Sequence, residues 1–403
     1  MKILLMAPHP FFQARGTPLA VRTVLEFLSS RGHRVDVLTL HEGEDVEIPN
    51  CRIHRIPALP GVRHIRPGFS VKKVLCDAAM FAVCLGMIRR TRYDLIHAVE
   101  ESAFIAAAAG ALSGVPYIYD MDSSLAEQMV EAYPRLHAIL PILRFCESVA
   151  VRRSLGVLTV CAALEDVAHA HDPDKPVGRV EDSTLLPPSS GRRTSNGYAP
   201  LPEDATHPLA MYVGNLERYQ GIDLMLDGFR HTLRRIPDAS LVIVGGRDED
   251  IRRYEAVADQ LGIRTSVHFL GPRPVRVLPS LLRQADVLVS PRVKGLNTPM
   301  KIYSYLDSGT AVLATRLRTH TQVLDDRSAY LVDPDPQSFG DGLAQLLEDP
   351  VLRDRLAAHA KQYVQEEFTP EAARRKLASF YSAMEGKVAE VKAAEPRVVE
   401  AKA

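Results

Sequence analysis

Short apolar runs alternate with helical periods along most of the chain. Residues 2–7 form the first run, a loop with Gly16 and Pro18 follows, and residues 19–31 place Leu19, Val24, Phe27 and Leu28 at helical spacing. Gly32 stops that helix and residues 34–39 form the next run, so the chain opens on a βαβ unit. Further strands are predicted at 95–98, 117–119 and 156–160, with helices between them. Strands alternating with helices predict an α/β protein with a parallel, doubly wound sheet.

Residues 173–207 break this rhythm with a high density of Pro, Ser, Gly and charge. Beyond them it restarts, with strands at 210–213, 240–244, 267–270 and 287–290 and helices at 221–234, 251–261 and 277–284. The pattern predicts a first domain over 1–172, a linker over 173–207 and a second domain over 208–367. Residues 368–385 read as a terminal helix packing back on the first domain, and 386–403 as a charged, disordered tail. A length of 403 residues suits two cores better than one.

The stretch 290–315, SPRVKGLNTPMKIYSYLDSGTAVLAT, concentrates the candidate chemistry. A strand enters a loop holding Arg292, Lys294, Gly295 and Asn297, Pro299 opens a helix, and Gly309 closes it before a strand at 311–314. A helix start offers unpaired N–H groups and partial positive charge, which suits a phosphate. Lys+Arg and Asp+Glu balance at 49 each, which argues against nucleic acid as a partner. The five cysteines lack metal-ligand spacing and fit buried thiols of a cytoplasmic protein; no metal site is expected. The first residues read as a strand, not a signal peptide. Residues 63–92 set Arg63, Arg66, Lys72, Lys73, Arg89, Arg90 and Arg92 around an apolar run at 74–88. That is either a core helix with solvated ends or a peripheral contact with the inner face of a membrane.

The segments RGTPLAV, SSRGHRVDVLT, YDLIHA and GVPYIYD, then MYVGNLERYQGIDLMLDGF, LVIVGG, HFLGPRP, QADVLVSP and TPMKIYSYLDSGTAVLAT, occur in that order. Through them the chain resembles glycosyltransferases of the GT-B fold, most closely family 4, over about residues 1–385. The resemblance implies two Rossmann-like domains facing each other across a cleft. It also implies sugar transfer from a nucleotide-sugar, held by the second domain, to a glycan, lipid-linked or small-molecule acceptor on the first. Retention, no cofactor and no divalent metal follow from the same resemblance, with protein donors stabilising the departing diphosphate.

The chain departs from the family at the phosphate clamp. Where relatives carry Gly-Arg-Leu-x3-Lys-Gly, it has Gly214, Asn215, Leu216, then Gln220 and Gly221, with Arg218 between. Lys294 stands near the first of the family's two glutamates and Ser304 at the second; Asp122 stands where a His often follows Val-Pro. One reading is an active branch with Asp122 and Lys294 as catalytic groups. Its donor site would use Gly16, Asn215, Arg218, Gln220, Gly245, Arg292, Gly295, Asn297, Thr298, Lys301 and Ser304. Arg15, His97 and Glu100 would line the acceptor side. Asp122 or Ser123 as a helix cap, and His97 as a buried hydrogen-bonded residue, are competing structural readings. For His320, after the strand at 311–314, a ligand-facing loop is one reading and a structural place the other. A catalytically inactive binding protein and a sugar-nucleotide epimerase are the alternative functions.

Overall fold

The computed structural model describes residues 1–13, 16–63, 65, 70–187 and 200–394. The chain divides into two compact units, 1–181 with 373–403, and 182–372.

The first unit holds a seven-stranded parallel sheet in the order β3-β2-β1-β4-β5-β6-β7. Its strands are β1 (Lys2–Ala7), β2 (Arg34–Thr39), β3 (Cys51–Arg55), β4 (Leu95–Val99), β5 (Tyr117–Met121), β6 (Val157–Thr159) and β7 (Val177–Arg179). The helices are α1 (Gly16–Ser30), α2 (Val71–Arg90), α3 (Ser102–Ser113), α4 (Leu125–Ala132), α5 (Leu140–Arg153) and α6 (Ala162–His171). Right-handed crossovers place α1, between β1 and β2, on one face of the sheet. The steps from β3 to β4 and on to β7 run the other way, so α2, α3, α5 and α6 cover the opposite face.

The second unit is a six-stranded parallel sheet in the order β10-β9-β8-β11-β12-β13. It comprises β8 (Leu209–Val213), β9 (Ser240–Val244), β10 (Val267–Gly271), β11 (Val287–Ser290), β12 (Ala311–Thr315) and β13 (Tyr330–Val332). Helices α7 (Ile222–Arg235), α8 (Asp248–Gln260), α9 (Leu278–Leu282), α10 (Lys301–Ser308), α11 (Arg318–Thr321), α12 (Pro336–Glu348) and α13 (Pro350–Glu367) complete it. Strands buried on both faces explain why β8, β9 and β11 read as unbroken apolar runs. No helix among the described residues is long and apolar enough to cross a membrane.

The structure departs from the sequence reading at several places. The stretch 173–207 is more than a linker, because β7 lies in it and pairs with β6, while Leu186, Leu201 and Ala205 pack on the second unit's core. The last helix, α14 (Pro370–Ala394), runs nine residues past 385, so the expected disordered tail begins as helix. Its Leu377, Phe380, Tyr381 and Met384 share a core with Val24, Leu25 and Leu28 of α1. Helix α10 starts at Lys301, two residues after Pro299, with Met300 at its N-cap. The short edge strands β3, β7 and β13 and the helices α12 and α13 had no sequence assignment.

Candidate functional site

In the second unit the ends of β8 and β11 approach each other through two turns. After β8 the chain passes Gly214 and a single 3-10 turn at Arg218–Gln220, and Gly221 (φ +76°) sends it into α7. A Cβ on Gly221 would lie 1.9 Å from the Pro291 carbonyl oxygen, so only glycine lets this turn meet the loop after β11. Val293 N–H donates to the Tyr219 carbonyl at 3.0 Å and joins the two segments.

The loop of residues 291–300 is held by its carbonyls. Thr315 Oγ1 donates to Arg292 O, Gln322 Nε2 to Leu296 O at 2.8 Å, and Thr319 Oγ1 to Asn297 O. Arg292 binds back into its own loop, from Nε to Lys294 O at 2.7 Å and from Nη1 to Asn297 O at 3.1 Å. Its guanidinium also lies against Gly295 and 5.0 Å from the centre of the Tyr219 ring. These contacts fix the loop through the protein's own donors, which is what preorganised charge stabilisation requires.

Lys301, the first residue of α10, is the feature these contacts frame. Its Nζ donates to Gln220 Oε1 at 3.3 Å and sits 3.7 Å from the centre of the Tyr212 ring, beside Gly214. Among the described residues no carboxylate pairs with it. Burial pulls its pKa well below the ordinary lysine value, and the neighbouring Arg292 charge pulls the same way. Three residues earlier, Thr298 is buried and its Oγ1 has no hydrogen-bond partner among the described residues.

Other predicted donor residues have different places. Ser304 is 1% exposed and its Oγ accepts Leu185 N–H at 3.1 Å, so it anchors the start of the second unit instead of facing a ligand. Gly245 donates its N–H to Gly271 O at 2.8 Å, and a Cβ there would lie 2.2 Å from Gly214 O; it serves the close approach of two turns. Asn215 and Arg218 are exposed, and the Asn215 Oδ1 accepts from Glu217 N–H at 3.4 Å. Lys294 is also exposed.

His320 is not on a ligand-facing surface. It is fully buried, with Nδ1 2.8 Å from Thr315 O and Nε2 2.9 Å from Ser290 Oγ, so Nδ1–H donates and Nε2 accepts. Burial pushes it down to about 3. An unfolded histidine titrates near 6.5, so the folded chain loses stability as pH falls from there towards about 3. Unfolding by urea at pH 7 and pH 5 is expected to show about 2 kcal/mol more acid loss for the wild type than for His320→Asn. Equal losses would contradict the buried neutral assignment.

In the first unit, His97 is likewise a core residue, not an acceptor contact. It is fully buried, with Nε2 2.8 Å from Asp120 Oδ2 and Nδ1 2.5 Å from the Tyr381 hydroxyl. Asp122 is buried just after β5, and the cap of α4 is Ser124, whose Oγ accepts Glu127 N–H at 3.4 Å. Neither Asp122 nor Ser123 takes that part. Glu100 follows β4 at φ +48°, an uncommon backbone state for a non-glycine residue, and its Oε1 accepts from Ser123 Oγ at 3.4 Å. Burial raises its pKa, opposed by the nearby Lys73 charge. Gly16 is the first residue of α1 at φ +39°. Arg15 lies outside the described residues.

Family profiles match both halves of the chain: "Glycosyl transferase 4-like domain" over residues 15–180 and "Glycosyl transferases group 1" over residues 199–363. The chain is a family 4-type glycosyltransferase of the GT-B fold. It is 27% identical over 392 residues to a D-inositol 3-phosphate glycosyltransferase of Corynebacterium urealyticum, covering 90% of this chain and 91% of that one. A phosphatidyl-myo-inositol mannosyltransferase of Mycobacterium tuberculosis is 32% identical over 148 residues, 35% of this chain and 38% of that one. Sucrose-phosphate synthase from Thermosynechococcus elongatus shares the fold with a TM-score of 0.77 at 20% identity, over 96% of this chain and 99% of that one.

For a glycosyltransferase of this type, the inactive and epimerase alternatives give way to glycosyl transfer. Sequence reasoning missed Tyr212 and Tyr219, whose ring faces receive Lys301 and Arg292. It also missed Thr315, Thr319 and Gln322, which tie the loop from behind. Tyrosines and threonines at strand ends carry no signal by type alone; the partners across the fold give them meaning.

Proposed function

We propose that this glycosyltransferase takes a nucleoside-diphosphate sugar through its second unit and passes the sugar to a hydroxyl of an acceptor bound by the first. The observation that carries this reading is Lys301, a desolvated lysine that has a neutral amide, and no carboxylate, as its hydrogen-bond partner among the described residues. A diphosphate supplies the missing negative charge, and its charge grows as the sugar leaves, so the interaction is stronger in the transition state than in the ground state. The Thr298 hydroxyl, unpartnered among the described residues, adds a donor of the right kind three residues before Lys301. Lys294 and Arg292 add charge from the same loop. With these groups the leaving diphosphate is met by protein instead of a metal. Retention is part of the reading, with Asp122 on the acceptor side.

The similarity to enzymes named for inositol 3-phosphate and phosphatidyl-myo-inositol supports a polyol acceptor, free or lipid-linked. Peripheral membrane contact through residues 63–92 would serve a lipid-linked one. A thermal-shift panel of UDP, GDP, ADP and CMP tests the donor reading. A nucleotide at 100 times its Kd is expected to add about 2.7 kcal/mol of stability. If none of the four raises the melting temperature, the nucleotide-sugar reading fails.

A further inference from the structure

The solvent side of one helical layer in the first unit is unusually apolar. Helices α2, α3 and α5 lie on the same face of the sheet, with α3 packed against both neighbours. Val74 and Leu75 of α2, Leu112 of α3, and Ile142 and Phe145 of α5 are exposed, Phe145 by 68% and Leu112 by 72%. Ile142 and Phe145 are three residues apart and so stand on one side of α5.

The exposed charge carried by these three helices has one sign. The exposed ionised residues of the three helices are basic: Lys72, Arg89 and Arg90 on α2, and Arg144, Arg152 and Arg153 on α5. Their acids, Asp77 and Glu147, are half-buried and buried, and α3 has none. Arg144 is bound to Glu127 of neighbouring α4, while the cations at the helix ends are exposed and meet no carboxylate among the described residues, Lys72 and Arg152 each donating to a backbone carbonyl. Large apolar side chains spread over parallel helices, with cations at their ends, match a broad partner that is apolar inside and anionic at its surface. A second copy of the chain would oppose arginine to arginine across the same face.

We propose that the α2–α3–α5 layer docks on an anionic lipid bilayer, with Ile142 and Phe145 as the inserted anchors. This rests on the peripheral contact proposed for residues 63–92 and moves its centre to α5. Arginine stems can lie along the acyl boundary while their heads reach lipid phosphates.

The test is co-sedimentation of the full chain with phosphatidylcholine vesicles, with and without roughly 30% phosphatidylglycerol. Binding is expected on the anionic vesicles, weakened by salt, and reduced about ten-fold or more by Ile142→Glu with Phe145→Glu. Val351→Glu, at an exposed apolar position of the second unit, is expected to bind as the wild type does. The exposed free thiol of Cys146 provides a second readout, since an environment-sensitive dye there should blue-shift on binding. No binding to anionic vesicles, or binding indifferent to the double substitution, overturns the proposal. So does a wild-type dimer that the substitution dissociates without any vesicle binding. The nucleotide thermal shift, run on the same variants, separates a failed membrane surface from a failed donor site.

Discussion

Lys301→Met is expected to cut nucleotide-induced stabilisation from about 2.7 kcal/mol to about 0.3–1.4 kcal/mol at the same nucleotide concentration, while leaving the melting temperature of the unliganded chain at or above that of the wild type. The two halves of this result have one cause. The buried Lys301 amine has lost water and gained one amide oxygen at 3.3 Å and one tyrosine ring at 3.7 Å. A ring face returns at most about 2 kcal/mol to a desolvated cation. Moving the charge out of water costs several kcal/mol, and Arg292 adds repulsion. Methionine fills a similar volume without that cost. With a diphosphate bound, the balance reverses, and a charged hydrogen bond contributes about 1.5–3 kcal/mol. Loss of that bond weakens binding roughly 10- to 150-fold. Calorimetric titration of UDP and GDP, beside thermal melts of the same preparations, measures both halves. Wild-type affinity in the variant would remove Lys301 from the donor site. A strongly destabilised variant would show that the lysine is structural.

His97→Ala should produce the largest loss of stability, about 3–5 kcal/mol in urea unfolding, far from any ligand. The Tyr381 phenol, which burial pushes well up and so keeps neutral, donates to Nδ1; Nε2–H then donates to Asp120. Alanine removes the N–H donor to an aspartate that is 5% exposed and opens a cavity between β4, β5 and α14. Tyr381→Phe, which deletes only one hydroxyl, is expected to cost less, about 1–3 kcal/mol. A loss under about 1 kcal/mol for His97→Ala would mean that Asp120 finds another partner. A direct acceptor contact would instead show as raised KM at unchanged stability.

The architecture was legible because its signals are local. Each βα unit announces itself through an apolar run, a breaker and a helical period, and the unbroken runs of β9 and β11 follow from burial on both faces. What sequence could not give is the direction in which a side chain points once distant segments arrive. Ser304 lies in the donor stretch, yet Leu185, 119 positions earlier, turns it into a structural contact. His97 follows the pattern of a strand-end ligand, yet Tyr381, 284 positions later, closes over it. The strand β7 was hidden because its residues, Val177–Arg179, sit among prolines and charges that ordinarily mark a loop. Lys301 was found by charge and position, but its lack of a counter-ion emerges only in three dimensions.

The first unit is interrupted in sequence: its core draws Leu377, Phe380, Tyr381, Met384 and Val388 from beyond the whole of the second unit. During synthesis the segment 1–181 therefore leaves the ribosome with one face of its sheet covered by α1 but not yet by α14. The second unit, continuous from 182 to 372, can close on its own while the first waits. Native assembly of this enzyme is thus a late event in translation, and a nascent chain stalled before residue 373 carries an unfinished first unit.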